Sequence, residues 1–122
     1  MAKILIIEDD PYVRKLYERI FSFQKHEVSM AADGLEGFEA AKKNKPTLIL
    51  LDVMMPKMSG IEVLEKLKSD KETASITVLM LTNFGEELIV KQAMEKGAEG
   101  VLIKSDFPPD KLIEKVNEYL KN

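Results

Sequence analysis

Three short apolar runs recur along the chain: KILIIE at 3–8, TLILLD at 47–52 and ITVLMLT at 76–82. They are continuous rather than alternating and rich in Ile, Leu and Val. Runs of this kind predict strands buried on both faces, as in a parallel sheet covered by helices. EVSMA at 27–31 and EGVLI at 99–103 are shorter and more mixed, as outer strands are. Segments of helical period lie between and after them. Val13, Leu16 and Ile20 recur at three- and four-residue spacing, behind an Asp10-Pro11 pair placed as N-cap and first-turn residue. Leu35, Phe38 and Ala41 repeat the spacing, as do Ile61, Leu64 and Leu67, then Ile89, Ala93 and Met94. A last set, Leu112 or Ile113 with Val116 and Leu120, opens on Pro108-Pro109. The pattern is β-α repeated five times, which predicts an α/β fold around one parallel sheet, with right-handed crossovers limiting the topology. No linker, low-complexity tract or internal repeat interrupts it, so residues 1–122 are expected to form one domain.

Composition narrows the chemistry. With 122 residues the chain suits one domain of ordinary size. The absence of cysteine excludes disulfides, thiolate zinc sites and a cysteine nucleophile, and a single histidine excludes multi-histidine metal sites. No apolar stretch approaches the ~18 residues of a membrane span, and the N-terminal MAKILII is too brief for a signal peptide. A net charge of −3 without a basic run gives no footing for nucleic acid. The expectation is a cytoplasmic domain that binds neither membrane nor nucleic acid directly.

The polar residues that follow the strands change this picture. In open parallel sheets ligands bind at the carboxyl ends of the strands, beside helix N-termini that favour anions. Strand one ends in Glu8-Asp9-Asp10, strand three in Asp52, strand four in Thr82 and strand five in Lys104. Glu8, Asp9, Asp10 and Asp52 carry −4 between them, so the remaining chain sums to +1. Two carboxylates about 5 Å apart repel by roughly 3 kcal/mol at an effective dielectric near 20. A divalent cation compensates such a cluster, and Mg²⁺ favours carboxylates with water and phosphate oxygens. Lys104 neutralises what the metal does not, and Thr82 offers a hydroxyl donor. A carboxylate between Mg²⁺ and a lysine is poised to attack phosphorus, so Asp52 is expected to become an aspartyl phosphate. Plainer roles stand beside these: Asp10 as a helix cap, Glu8-Asp9 as a solvated turn, Asp52 and Thr82 as ordinary strand ends. It is their joint occurrence on one rim that favours chemistry. His26 is expected at the surface and the methionines mostly in the core, except Met54, Met55 and Met58 in the loop after Asp52.

These residues resemble the receiver domain of two-component response regulators, of the bacterial chemotaxis-regulator type. The resemblance rests on ILIIEDDPYVR at 4–14, LILLDVMMPKMSGIEVL at 48–64, VLMLTNF at 78–84 and GAEGVLIK at 97–104. Intervals of 43, 30 and 22 residues separate Asp9, Asp52, Thr82 and Lys104. The resemblance implies a flavodoxin-like (βα)5 three-layer sandwich with strand order 2-1-3-4-5. It implies Asp52 as phosphoacceptor, Asp9 as direct Mg²⁺ ligand, Glu8 acting through water and the Met54 backbone carbonyl completing the protein's share of the shell. Thr82 and Lys104 match the pair that turns toward the phosphoryl group. The implied partners are a sensor histidine kinase or phosphotransfer protein, and a downstream protein met by the face of helix 4, strand 5 and helix 5. The family accelerates its own loading and hydrolysis and is a signalling module rather than an enzyme.

Two departures stand out. Ser105 follows Lys104 where the family has a proline in a cis bond, so this loop is expected to be trans and differently shaped. Val101 occupies the aromatic switch position of strand five, so coupling must use another element, with Phe84 a candidate. Met54 and Phe84 also flank the family's route of hydrolytic water, and both are apolar, so a long-lived phospho-Asp52 is expected. Alternatives are the N-terminal receiver of a longer regulator, cut after Leu120, and a phosphorylation-independent interaction module. An aspartate-dependent phosphohydrolase is disfavoured because D-x-D-x-T is absent at Asp52-Val53-Met54-Met55. A flavodoxin-type cofactor binder is disfavoured because acids replace a phosphate loop after strand one.

Overall fold

The computed structural model describes residues 2–55, 57–83 and 86–120. Five strands, β1 (Lys3–Ile7), β2 (Glu27–Ala31), β3 (Leu48–Asp52), β4 (Thr77–Thr82) and β5 (Gly100–Ile103), form one parallel sheet in the order β2-β1-β3-β4-β5. Five helices connect and follow them: α1 (Pro11–Phe23), α2 (Gly34–Asn44), α3 (Gly60–Ser69), α4 (Glu87–Glu95) and α5 (Pro109–Leu120). The predicted architecture and strand order are those observed.

Two apolar layers explain the unbroken strand runs. Odd residues of β1 and β3 (Leu5, Ile7, Ile49, Leu51) pack with Val78 and Met80 against Ala41 of α2, Val63, Leu64 and Leu67 of α3 and Ala93 of α4. Even residues (Ile4, Ile6, Leu48, Leu50) pack with Leu79, Leu81 and Leu102 against Tyr17 and Phe21 of α1 and Leu112 and Val116 of α5. Each central strand thus has no polar face to alternate with.

Helix starts follow local chemistry. Asp10 caps α1, accepting from the Tyr12 N–H at 2.9 Å and the Val13 N–H at 3.4 Å, with Pro11 opening the first turn. Asp33 caps α2, and Ser59 with Glu62 forms a reciprocal capping box on α3. Pro109 opens α5. Glu86 precedes α4 without any side-chain cap.

Some buried faces differ from the spacing-based expectation. Leu16, Leu35 and Met94 are exposed. On α1 the buried positions are Tyr17 and Phe21, one residue round from the predicted stripe. On α2 a glycine replaces the leucine as the contact: a Cβ at Gly37 would lie 2.6 Å from the Ile7 side chain, so the helix backbone rests directly on β1. His26 is half-buried rather than superficial, its Nδ1 accepting from the Ala2 N–H at 3.1 Å and its ring tilted toward Phe21. Among the described methionines only Met80 is fully buried; Met30, Met55 and Met58 are intermediate and Met54 and Met94 exposed, so core filling is not their general role.

The turn from β3 into α3 is closed tightly. The Gly60 N–H donates to the Val53 carbonyl at 2.9 Å. A Cβ on Gly60 would overlap the Asp52 carbonyl oxygen and come within 2.7 Å of the Val53 Cα. Only glycine lets the helix start against the end of β3. Because the clash is with backbone, Gly60→Ala is expected to lower unfolding free energy by about 2 kcal/mol, measured by urea denaturation.

Candidate functional site: an acid cluster bridged by lysine

The carboxyl ends of β1, β3, β4 and β5 lie side by side, and each delivers one polar residue. Glu8 directly follows β1, and its N–H still pairs with the Ala31 carbonyl of β2 at 3.1 Å. Asp52 is the last residue of β3, opposite Leu81, and Thr82 the last of β4, opposite Ile103. Lys104 follows β5 in a single 3₁₀ turn, Lys104–Asp106. Strand parity divides them. Glu8, Asp52 and Lys104 continue the α1/α5 face, whereas Thr82 continues the α2–α4 face.

Lys104 is the bridge. Its Nζ donates to Glu8 Oε1 at 2.9 Å and lies 3.5 Å from Asp52 Oδ1. Glu8 is 2% exposed and Asp52 5%. The second Glu8 oxygen, Oε2, accepts the Asp10 N–H at 3.2 Å. One carboxylate oxygen from each of Glu8, Asp9 and Asp52 falls within 4.8 Å of the others. Burial pushes the Glu8 carboxyl above its ordinary range; the Lys104 hydrogen bond opposes this without cancelling it, and the Asp52 charge adds to it. Asp9 is raised too, by desolvation first and then by Glu8 beside it. Burial alone pulls the Lys104 ammonium down, but Glu8 and Asp52 outweigh it and the net shift is upward. The cluster is thus rich in anionic oxygen and compensated by one cation, so it suits a small hard cation with oxygen preference.

Glu8, Asp9, Asp52 and Lys104 come together on this rim, with Thr82 at the end of the neighbouring strand β4. Met54, in the loop beyond Asp52, is 61% exposed. Val101 does not join them: it pairs with Met80, two pairs below the Thr82–Ile103 pair, and packs partly buried on the α2–α4 side. Phe84 lies outside the described residues. The Lys104–Ser105 bond is not cis, and no described peptide bond is. Residues not singled out in the sequence also shape the site. Arg14 Nη1 donates to the Glu8 carbonyl at 2.8 Å and to the Asp9 carbonyl at 3.4 Å, pinning the acidic turn from α1. Tyr17 is buried beneath it; burial raises its phenol, with Lys104 opposing and Glu8 and Asp52 reinforcing. An arginine one turn into the helix that an acidic loop opens was the available signal for Arg14.

A family model for the response regulator receiver domain matches residues 4–117. The chain belongs to the response regulator receiver family. Among curated relatives, this receiver is 36% identical over 121 residues to the DNA-binding dual master transcriptional regulator RpaA of Synechocystis, covering 99% of this chain and 50% of that protein. It is 34% identical over 119 residues to the transcriptional regulatory protein SrrA of Staphylococcus aureus, covering 98% and 48%. The receiver therefore spans about half the length of these relatives. Among solved structures it resembles the chemotaxis protein CheY4 of Vibrio cholerae, with TM-score 0.91 and 29% identity over 98% of both chains. A CheY-like receiver domain protein of Methanospirillum hungatei gives TM-score 0.92 and 28% identity, covering 99% of this chain and 94% of that one. The receiver thus has the flavodoxin-like fold of chemotaxis-type regulators and the signalling role of a two-component receiver. Such domains work with histidine kinases and downstream effectors.

The raised carboxyls carry a stability consequence. An acid whose folded pKa is raised stabilises the fold below its unfolded pKa and loses that contribution as pH rises through the folded value. In EDTA near pH 7.5, Asp9→Asn is expected to raise Tm by about 2–5 °C. The difference should vanish below about pH 3, where the carboxyls of both states hold protons. Calorimetry across that pH range checks it.

Proposed function

We propose that Asp52 is the phosphoacceptor of this receiver. The observation that carries the reading is a buried Asp52 carboxylate with a lysine ammonium 3.5 Å away and two further carboxylates grouped with it. Asp52 attacks the phosphorus of a phosphohistidine or acyl phosphate; a P–O bond forms as the P–N or P–O bond to the donor breaks. The donor leaves as histidine, taking a proton on nitrogen, or as a free carboxylate. Lys104 holds its ammonium where negative charge collects, and Thr82 supplies a hydroxyl at the end of the neighbouring strand. Asp9, Asp52 and the Met54 backbone carbonyl are the residues that would hold Mg²⁺. Both Glu8 oxygens already have partners, which supports a water-mediated part for that residue. When bound, the ion would neutralise the acid cluster and the incoming phosphoryl oxygens.

The donor is a sensor histidine kinase or phosphotransfer protein, and the receiver assists its own loading and hydrolysis rather than turning over a separate substrate. Output runs through protein contacts on the α4–β5–α5 face, in the cytoplasm. Among the described residues no helix is long and apolar enough to cross a membrane. Because Val101 has no ring to swing, the signal passes from Thr82 by backbone and packing shifts.

Incubation with Mg²⁺ and acetyl phosphate is expected to add one phosphoryl mass, lost in Asp52→Asn; an unmodified wild type, or modification undiminished by the substitution, overturns the assignment. The apolar Met54 and Phe84 favour slow hydrolysis. Replacing both by polar residues is expected to speed loss of the phosphoryl group about tenfold, a barrier change of roughly 1.4 kcal/mol, followed by decay of the phosphorylated species.

A further inference from the structure

Lys104 must be held in place by something other than the residue after it. Ser105 and Asp106 are exposed, and so are Pro108, Pro109, Asp110 and Lys111. Between Lys104 and Leu112, Phe107 is the one residue whose side chain is not exposed. It packs against the α1/α5 cluster that contains Tyr17, Leu102 and Leu112. Its N–H donates to the Lys104 carbonyl at 3.2 Å, closing the 3₁₀ turn. The next fixed point is the Leu112 N–H on the Pro108 carbonyl, already part of α5. Beyond its join to β5 and the Lys104 ammonium itself, the turn meets the apolar body through Phe107. It carries the lysine that must reach two carboxylates on two other strands.

We infer that Phe107 is a positioning residue for Lys104: its ring, seated in the α1/α5 layer, fixes the trans 3₁₀ turn and so sets the ammonium between Glu8 and Asp52. This rests on the reading of Asp52 as phosphoacceptor for its kinetic consequence, but not for its structural one. Two neighbouring features fit. Lys104 leaves the sheet on the same face that receives the ring, so the anchor and the lysine stem share one layer. The exposed Ser105-Asp106 pair has no side-chain bond to the body among the described residues, so losing the ring frees the whole turn.

The test combines kinetics with a spectroscopic readout. Phe107→Ala is expected to lower the rate constant for phosphorylation by acetyl phosphate with Mg²⁺ about tenfold, and Phe107→Leu, which refills the seat, to stay within about threefold of wild type. In a Lys104→Ala background, Phe107→Ala should cause no further loss, because the lysine it positions is gone. Leu120→Ala, at the far end of α5 and packed on the same cluster, controls for general loosening and should stay within about twofold. The Lys104 ammonium resonance in ¹⁵N-lysine spectra is expected to move in Phe107→Ala and hold in Phe107→Leu and Leu120→Ala. An undiminished rate in Phe107→Ala, an equal loss without Lys104, or an unmoved ammonium signal overturns the inference. Should wild type accept no phosphoryl group, the phosphoacceptor reading fails while the ammonium comparison still decides the role of Phe107.

Discussion

The structure turns on one ammonium. Three carboxylates gathered at one end of a sheet repel one another, and two of them lie almost wholly out of water. Lys104 makes the arrangement tenable by touching Glu8 and standing beside Asp52 at once. Truncating it would leave buried anions without a partner, which is far more damaging than losing an exposed ion pair. The residual excess of negative charge is what makes the site receptive: the fold tolerates it, and a cation relieves it.

Backbone-level contacts hold that arrangement in place. Arg14 ties the carbonyls of Glu8 and Asp9 to α1. Asp10 spends its carboxylate on the same helix while its N–H steadies Glu8. Gly60 brings the start of α3 onto the carbonyl of Asp52. The charged groups therefore sit on a frame whose parts are helix starts and strand ends, where free N–H and C=O groups are available.

The sequence made the strands and charged rim legible, and the reason is physical. Strands buried on both faces write themselves as unbroken apolar runs, and a carboxylate directly after such a run is hard to place anywhere but the rim. Helix faces were less legible. On α1, Leu16 and Tyr17 are both plausible inward residues, and tertiary packing chose the larger ring. On α2 the contact is made by Gly37, a residue with no side chain to signal burial. Arg14 was missed for a related reason: it acts on carbonyl oxygens, which every residue possesses and no pattern marks. Phe107 was hidden because its value depends on the shape of a turn.

The helices are not equally secured. α3 has a capping box and three buried side chains, whereas α4 starts without a side-chain cap, buries only Ala93 fully and leaves Leu88 and Met94 in solvent. The free energy needed to detach α4 is accordingly the smaller, and its amides should exchange with solvent well before those of α3. α4 is the helix that follows the strand ending in Thr82. The molecule therefore sets a firmly seated helix on the Asp52 side of the rim and a lightly held one beside Thr82.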